Sequence, residues 1–266
     1  MPFPPRPFWL LAAVLALTSP VPYAHSQSAF APGEKLDFVL KWNGIAAGDS
    51  TMSVEKMPPS GGKSLFRIVS TAKSRSLIDI IYPVRNRYES HFDPVSGLPQ
   101  KYIARMREGG KRSDRVLIFD QKRHIVTRIE KKDGRTKSRI YKILPSTQDT
   151  LSSLYVMRNE TLRVGDRVGF RVFESRKNYE LIVEVLGKEE IKVAAGRFQT
   201  LKIHPILKYE GIFRRKGDLF IWITDDSRHI PVLMKSKIAV GSISAELAGY
   251  TYGDEADDSP KNEVTR

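Results

Sequence analysis

Alternation of apolar and polar residues is the strongest repeated pattern along this chain. From Leu36 to Trp42 the even-numbered positions are large and apolar, whereas the odd-numbered positions include Asp37 and Lys41. Successive side chains of a β-strand point to opposite faces, so this stretch predicts a strand with one buried and one solvated face. Asn43-Gly44 follows it and favours a tight hairpin turn, because both residues tolerate positive φ.

The same pattern recurs at short intervals, separated by turn-forming residues. We predict further strands over residues 64–73, 87–92, 98–106, 115–120, 125–131, 136–143, 168–174, 179–189, 196–204, 218–224, 230–238 and 242–252. Short strands at this spacing indicate a mostly β fold, either a single curled antiparallel sheet or an open β-barrel-like domain with one or two short helices. Glycine-containing segments at 42–48 and 237–245 resemble each other and suggest two neighbouring strands.

Two segments depart from the alternation. After Pro145, the pair Ser146 and Asp149 has the spacing of a helix capping box, and the following face has helical spacing: Leu151, Leu154, Tyr155 and Arg158. We therefore predict a short helix there. The second segment, residues 74–81, fits a helix or a strand equally well.

The first 26 residues have the layout of a secretory signal. Arg6 precedes ten apolar residues, Phe8 to Leu17, and a polar segment ends in Ala24-His25-Ser26. Such a run is about half of the ~20 residues that a membrane span needs, and the small residues fit a cleavage site. We predict a signal peptide at 1–26, cut after Ser26, and export to the periplasm. Prolines on both sides of the apolar run disfavour a buried N-terminal helix.

Residues 34–252 are predicted to form one β-rich domain. The chain contains no cysteine, which excludes disulfides, a thiol nucleophile and cysteine-ligated metal. The final segment, 253–266, carries five acidic and two basic residues without apolar periodicity, and therefore predicts a disordered acidic tail.

Positive charge is concentrated in one part of the chain. Residues 105–142 contain fourteen Lys or Arg and five Asp or Glu, a net charge of +9 within a formal total of +14. In the periplasm such a surface would face anionic lipid headgroups, lipopolysaccharide phosphates or cell-wall polymers rather than nucleic acid. A solvated face that only maintains solubility fits the same pattern equally well.

Residue types for catalysis are sparse, so we expect no enzymatic activity, no metal and no cofactor. The histidines outside the signal lack any spacing typical of zinc ligands: His91, His124, His204 and His229. Motifs of serine hydrolases and nucleotide-binding enzymes are also missing. A hydrolase using Asp149, Asp225 or Asp226 is the lesser alternative, although Asp225-Asp226 is more typical of a turn.

Basic residues beside aromatic residues are the candidates for ligand binding. Together with the tryptophans of two predicted strands and one further arginine, they give this candidate set: Trp42, Trp222, Tyr209, Arg214, Arg215, Lys216 and Arg228. Such groups could hold an anionic headgroup while an apolar interior takes acyl chains. Charges at strand edges that block aggregation would give the same pattern. Two further clusters are Arg139 with Tyr141 and Lys142, and Arg85 with Arg87 and Tyr88.

Four segments resemble the bacterial domain-of-unknown-function 3108 (DUF3108) family: 36–48, 148–158, 217–232 and 240–247. The resemblance covers roughly residues 34–252. It implies an exported, β-rich envelope protein with no agreed reaction and no established catalytic residues. The positions that carry the resemblance as structural motifs are Asn43, Gly44, Gly48, Asp149, Asp225, Asp226, Pro231 and Gly241.

These observations favour a non-catalytic periplasmic protein that binds a lipid or another amphipathic or anionic envelope component. Peripheral membrane contact is compatible with this hypothesis. The alternative is a structural or scaffold protein whose partner docks on an exposed strand or on the helix near 148–158. The sequence leaves the ligand, the partner and the oligomeric state open.

Overall fold

The computed structural model describes residues 28–59, 62, 64–132, 134–209, 212–214, 219–237 and 241–253. The predicted signal peptide and its cleavage site lie outside these residues, as does the predicted tail beyond Gly253.

Fifteen strands and two helices follow one another in the described chain. The first eight strands and the first helix are β1 (Lys35–Trp42), β2 (Ile45–Lys56), β3 (Phe66–Ser74), α1 (Ser76–Ile81), β4 (Arg85–Asp93), β5 (Leu98–Glu108), β6 (Lys111–Asp120), β7 (Ile125–Lys132) and β8 (Arg135–Lys142). The remaining elements are α2 (Thr150–Arg158), β9 (Arg167–Glu174), β10 (Lys177–Val193), β11 (Gly196–Tyr209), β12 (Ile212–Arg214), β13 (Leu219–Thr224), β14 (Pro231–Lys237) and β15 (Ser242–Thr251).

All strands belong to one antiparallel sheet. Its order is β8-β7-β6-β5-β4-β3-β2-β1-β15-β14-β13-β11-β10-β9, with β12 paired to β11. The mostly β fold, built as one curled antiparallel sheet with two short helices, is confirmed. The suggested neighbourhood of segments 42–48 and 237–245 is also confirmed, because Trp42 pairs with Ile243 between β1 and β15.

The sheet curls until its two ends approach each other. The rings of Tyr141 on β8 and Phe173 on β9 lie 5.5 Å apart, and Arg115 on β6 forms a 3.3 Å ion pair with Glu174 at the end of β9. The segment before α2 adds backbone hydrogen bonds to β9, where Gln148 donates to the carbonyl of Arg171 and accepts from Phe173. Strands that are far apart in sheet order therefore face a common interior.

Helix α2 fills part of that interior. Of the predicted helical face, Leu151, Tyr155 and Arg158 are buried and Leu154 is partly buried, and Met157 is buried as well. The capping prediction was wrong by three residues: Asp149 is the N-cap, and Ser152 is its reciprocal partner. Asp149 satisfies two backbone N–H groups that Ser146 does not reach, because Ser146 lies in the preceding turn with φ 59°. Residues 74–81, which the sequence left open between helix and strand, contain the helix α1.

A buried ion pair joins α2 to the start of the domain. Arg158 donates to both carboxylate oxygens of Glu34, at 2.7 and 2.6 Å, and to the backbone carbonyls of Ala29 and Arg228, each at 3.0 Å. Only 1% of the Arg158 side chain and 2% of the Glu34 side chain are exposed. This pair fixes the segment before β1 and the β13–β14 turn against the helix.

Candidate functional site

Every second connection between consecutive strands lies at the same end of the curled sheet, because neighbouring strands run in opposite directions. We call this end the rim and define it by the described residues of the β1–β2, β5–β6, β7–β8 and β9–β10 turns and by the segment 75–84 that contains α1. Two cavities and several exposed apolar side chains lie there. The opposite end carries the β4–β5, β6–β7 and β13–β14 turns.

Exposed apolar side chains are concentrated on part of the rim. Ile80 and Ile81 at the end of α1 are 80% and 78% exposed, and Ile45 at the start of β2 is 73% exposed. Neighbouring apolar side chains that are also exposed are Trp42, Tyr82 and Ile243. Large apolar groups left in water at one end of a sheet are typical of a surface that contacts another molecule.

A cleft of about 840 Å³ lies beside this apolar surface, between the β5–β6 and β7–β8 hairpins. Tyr82 connects the two regions, since its ring lies directly against Gly109 and the N–H of Gly109 donates to the carbonyl of Pro83 at 3.0 Å. The side chains of the cleft carry both signs of charge: Arg107, Lys111, Arg112 and Lys131 face Glu108, Asp114 and Glu130. Arg107 binds Asp114 through two hydrogen bonds, which lower the pKa of that carboxyl group.

A smaller and more basic pocket adjoins the cleft and shares Glu130 with it. Its volume is about 120 Å³, and it is lined by Arg128, Glu130, Lys137, Arg139, Tyr141 and Arg176. The sheet register explains this lining, because Arg128 pairs with Arg139 and Glu130 pairs with Lys137 across β7 and β8. The β9–β10 turn adds Arg176 from the other end of the sheet order.

The inner face of β6, β7 and β8 changes from apolar to charged toward the rim. The deepest row is Phe119, Val126 and Tyr141, the next is Leu117, Arg128 and Arg139, and the row nearest the rim is Arg115, Glu130 and Lys137. The apolar row belongs to the core. The basic pocket therefore lies where the interior of the curled sheet opens toward the rim.

Among the described residues, Glu130 is the one acidic side chain that lines the basic pocket, and it is already engaged. Glu130 accepts a 2.9 Å hydrogen bond from Arg128, and this bond lowers the pKa of Glu130, with further lowering by the charges of Arg128, Arg176 and Arg115. Four cationic side chains, Arg128, Lys137, Arg139 and Arg176, line the pocket with this one carboxylate, so the lining has a net charge of +3. An anion is the ligand that such a pocket attracts.

The sequence-predicted ligand residues do not form one cluster. Trp42 is at the rim, whereas Arg228 is in the β13–β14 turn at the opposite end, where its guanidinium lies 3.5 Å from the centroid of the Tyr252 ring. The backbones of Tyr209 and Arg214 belong to the paired strands β11 and β12. Arg215 and Lys216 lie outside the described residues.

Trp222 has partners of its own. It is only 7% exposed and donates a 2.8 Å hydrogen bond from Nε1 to Glu189, while Lys202 lies 5.0 Å from its ring centroid. The hydrogen bonds of Glu189 with Lys202 and Trp222 lower the pKa of that carboxyl group. Neither Trp42 nor Trp222 lines the two cavities described above.

The predicted motif residues occupy turns and close contacts. Asn43 and Gly44 form the β1–β2 turn with positive φ, and Asn43 Oδ1 accepts a 2.9 Å hydrogen bond from the N–H of Ser242, next to Gly241. Gly48 lies against the backbone carbonyl of Lys73, which leaves no space for a Cβ. Pro231 begins β14.

The three candidate catalytic carboxylates each have structural partners. Asp149 caps α2 and accepts from Ser90, Asp225 pairs with Lys188, and Asp226 accepts from the N–H groups of Arg228 and His229 in a turn. Among the described residues, no three His, Asp or Glu side chains are grouped as metal ligands.

Sequence reasoning did not select the basic pocket, although two of its signals were visible. Five of the six pocket residues lie within the basic stretch 105–142, and Arg139 and Tyr141 formed one of the basic and aromatic clusters. Arg176 had no signal in the sequence, because it reaches the pocket only through the curl of the sheet.

Comparison with known families and structures places this geometry in context. The sequence profile of DUF3108, described as a protein of unknown function, matches residues 37–248. The chain belongs to the DUF3108 family. No curated protein sequence matches the chain.

The fold of this DUF3108 protein is similar to that of a β-barrel-like protein of the domain of unknown function DUF1849 from Brucella abortus. The TM-score is 0.54 at 9% identity, with 83% of this chain and 98% of that chain covered. A protein from Bacteroides fragilis, described as exported and with a YmcC-like fold, matches with a TM-score of 0.31 at 10% identity, covering 84% of this chain and 97% of its own. In the described part of the DUF3108 chain, no helix has both the length and the apolarity of a membrane span.

Proposed function

We propose that this DUF3108 protein is an exported, non-catalytic periplasmic protein whose rim binds an amphipathic, anionic component of the cell envelope, such as a lipid, lipopolysaccharide or a cell-wall polymer. One observation carries the proposal: an exposed apolar surface and a basic pocket lie at the same end of the sheet and are connected through the cleft. An amphipathic anion presents the complementary pair of surfaces.

The apolar part of the rim supports contact with acyl chains or a bilayer surface. Burying one isoleucine side chain contributes about 1.5–3 kcal/mol when it leaves water completely. Ile80 and Ile81 are adjacent and mostly exposed, so even partial insertion of both would give a measurable affinity. Basic residues near them would add attraction to anionic headgroups, at about 1 kcal/mol per residue near the surface.

The absence of a catalytic role is part of the proposal and is supported by the partners of the acidic residues. Asp149 and Asp226 are engaged by backbone N–H groups, and Asp225 by Lys188. These contacts stabilise a helix end, a turn and a strand, which gives each carboxylate a structural role.

Vesicle sedimentation tests the proposal. The protein should bind vesicles of phosphatidylcholine mixed with phosphatidylglycerol and bind phosphatidylcholine alone weakly, and salt should reduce the binding to the anionic vesicles. Ile80→Ser combined with Ile81→Ser should weaken binding at least about tenfold, because losing roughly 1.4 kcal/mol changes affinity by that factor.

A matched control is Val95→Ser. Val95 is also highly exposed, but it lies in the β4–β5 turn at the end opposite the rim. This variant should bind vesicles like the unmodified protein. Equal binding to neutral and anionic vesicles, or an unchanged affinity of the Ile80/Ile81 variant, would contradict the proposal.

A second candidate function is a scaffold that pairs its edge strand with a protein partner. Strand β8 is at one edge of the sheet, and its side chains are exposed except at Tyr141. Helix α2 does not favour docking, because six of its nine residues are buried. The charged side chains of β8 are typical of edges protected against pairing, so the ligand-binding function is preferred. In-cell crosslinking from Ser138→Cys, with capture of one defined protein, would support the scaffold.

A further inference from the structure

We propose that the basic pocket formed by Arg128, Arg139, Tyr141 and Arg176 is a binding site for a phosphoryl group. The inference rests on the proposed function and deepens it, because it names the group of the anionic component that the pocket recognises. It depends on four observations, each independent of the exposed apolar residues of the rim.

The first observation is the placement of charge. Arg128 and Arg139 face each other across β7 and β8, and Arg176 approaches from the β9–β10 turn. Charged residues on the inner face of a curled sheet lie where core side chains are normally found. Arg128 is buried there, and the exposed Arg139 and Arg176 add positive charge around about 120 Å³ of space, so a bound anion would reduce the repulsion between them.

The second observation is a pair of buried donors without acceptors. The Arg128 side chain is only 8% exposed, and its Nε has no hydrogen-bond partner among the described residues. The hydroxyl group of Tyr141 is likewise buried without a partner in the described part of the chain. Leaving a buried donor unsatisfied costs about 1–3 kcal/mol, and more when the group is charged. A bound anion would supply the acceptors.

The third observation is backbone strain in the turn that supplies Arg176. Ser175 and Arg176 have φ values of 47° and 80°, in a two-residue hairpin turn where asparagine and glycine are usual. An arginine in this conformation is unfavourable for folding, and such strain is concentrated at functional sites. Arg176 is therefore better explained by binding than by the needs of the turn.

The fourth observation is the geometry of the donors. They come from three elements, β7, β8 and the β9–β10 turn, and so approach the pocket from different directions. A phosphoryl group has several acceptor oxygens in a tetrahedral arrangement and a charge of about −1 to −2, whereas a carboxylate offers two oxygens in one plane. Guanidinium groups bind phosphate through paired hydrogen bonds. The net charge of +3 fits the more highly charged group.

Isothermal titration calorimetry with inorganic phosphate tests the site, with acetate at the same ionic strength as the comparison. The protein should bind phosphate at least tenfold more tightly than acetate. Arg176→Gly should weaken phosphate binding at least fivefold while leaving the thermal midpoint unchanged or higher, because glycine accepts positive φ. Arg139→Gln should also weaken binding at least fivefold.

Lys122→Gln provides the control. It removes one exposed positive charge from the β6–β7 turn at the opposite end of the sheet, and phosphate affinity should change less than twofold. Equal affinities for phosphate and acetate, or full phosphate affinity in Arg176→Gly, would overturn the inference.

A short-chain phosphatidic acid below its micelle concentration distinguishes the sources of the phosphoryl group. Tighter binding than inorganic phosphate, lost in Arg176→Gly, assigns the site to a lipid headgroup, whereas equal binding assigns it to phosphate without lipid. Vesicle binding without phosphate binding would overturn the pocket and leave the proposed function standing. Phosphate binding without vesicle binding would keep the pocket and refute membrane contact.

Discussion

Replacing Asp149 by asparagine should remove a buried negative charge and keep the helix cap. The carboxylate accepts 2.8 Å hydrogen bonds from the N–H groups of Leu151 and Ser152 through one oxygen, and a 2.6 Å bond from Ser90 through the other. Asparagine is also a strong N-cap residue. Its Oδ1 can keep both backbone bonds, and its Nδ2 can donate to the Ser90 hydroxyl oxygen.

The magnitude follows from the pKa of Asp149. Burial raises the pKa to about 6, although the hydrogen bonds from Ser90, Ser152 and Leu151 oppose this. In the unfolded chain the pKa is about 3.9. Between roughly pH 4 and 6 the native state therefore holds a proton that the unfolded state has lost, so the free energy of unfolding falls as pH rises through this window. A difference of two pKa units corresponds to about 3 kcal/mol.

Urea unfolding followed by far-UV circular dichroism at a series of pH values measures this effect. Between pH 4 and 7 the unmodified protein should lose about 3 kcal/mol more than Asp149→Asn, because the other titrating groups are common to both. At neutral pH the asparagine variant should be at least as stable. Asp149→Ala is the control: it loses the cap and should be destabilised by about 1–2 kcal/mol relative to Asp149→Asn at every pH. An identical pH dependence of the unmodified and asparagine proteins would refute this reasoning.

Two further substitutions test packing by the same unfolding measurement. Arg158→Met leaves the Glu34 carboxylate buried without its partner and should lower the free energy of unfolding by about 3–5 kcal/mol. Adding Glu34→Leu removes the unpaired charge and should recover part of this loss. A double variant no more stable than Arg158→Met would count against the ion pair as the cause. Gly48→Ala places a Cβ against the backbone carbonyl of Lys73 and should lower the free energy of unfolding by about 1–3 kcal/mol. Gly249 on β15 has open space around it, so Gly249→Ala should change stability by less than half of that. Equal losses in the two variants would show that strand propensity, not the contact, is being measured.

The local pattern of the sequence was sufficient to predict most of the strands. Alternation is a property of neighbouring residues, and each strand here buries one face against the same interior, as Leu36 and Phe38 do on β1. The helix face around Tyr155 was predicted for the same reason. The cap was misplaced because Ser146 and Asp149 both have suitable side chains, and only the fold shows which one meets the free N–H groups of α2.

Contacts between distant parts of the chain could not be predicted from such patterns. Arg158 had the spacing of a core-facing residue, but its partner Glu34 is 124 positions away and has no local feature that marks it. Arg176 reaches the basic pocket because the sheet brings its two ends together. Period-two patterns determine which face a side chain takes, and they contain no information on how strongly the sheet curls.

The inner face of β6, β7 and β8 is apolar away from the rim and charged toward it. Away from the rim, Phe119, Val126 and the α2 residue Tyr155 belong to the packed core. Toward the rim, the same face of these strands carries the buried Arg128 and the exposed Arg139, where apolar residues would have extended that core at no electrostatic cost. A fold that needed only stability would continue the apolar rows to the end of the strands. On β7 and β8 the row next to the core contains Arg128 and Arg139, and on β6 the change comes one row later, at Arg115. The strained β9–β10 turn adds Arg176, and we propose that a ligand accounts for this charged end of the sheet.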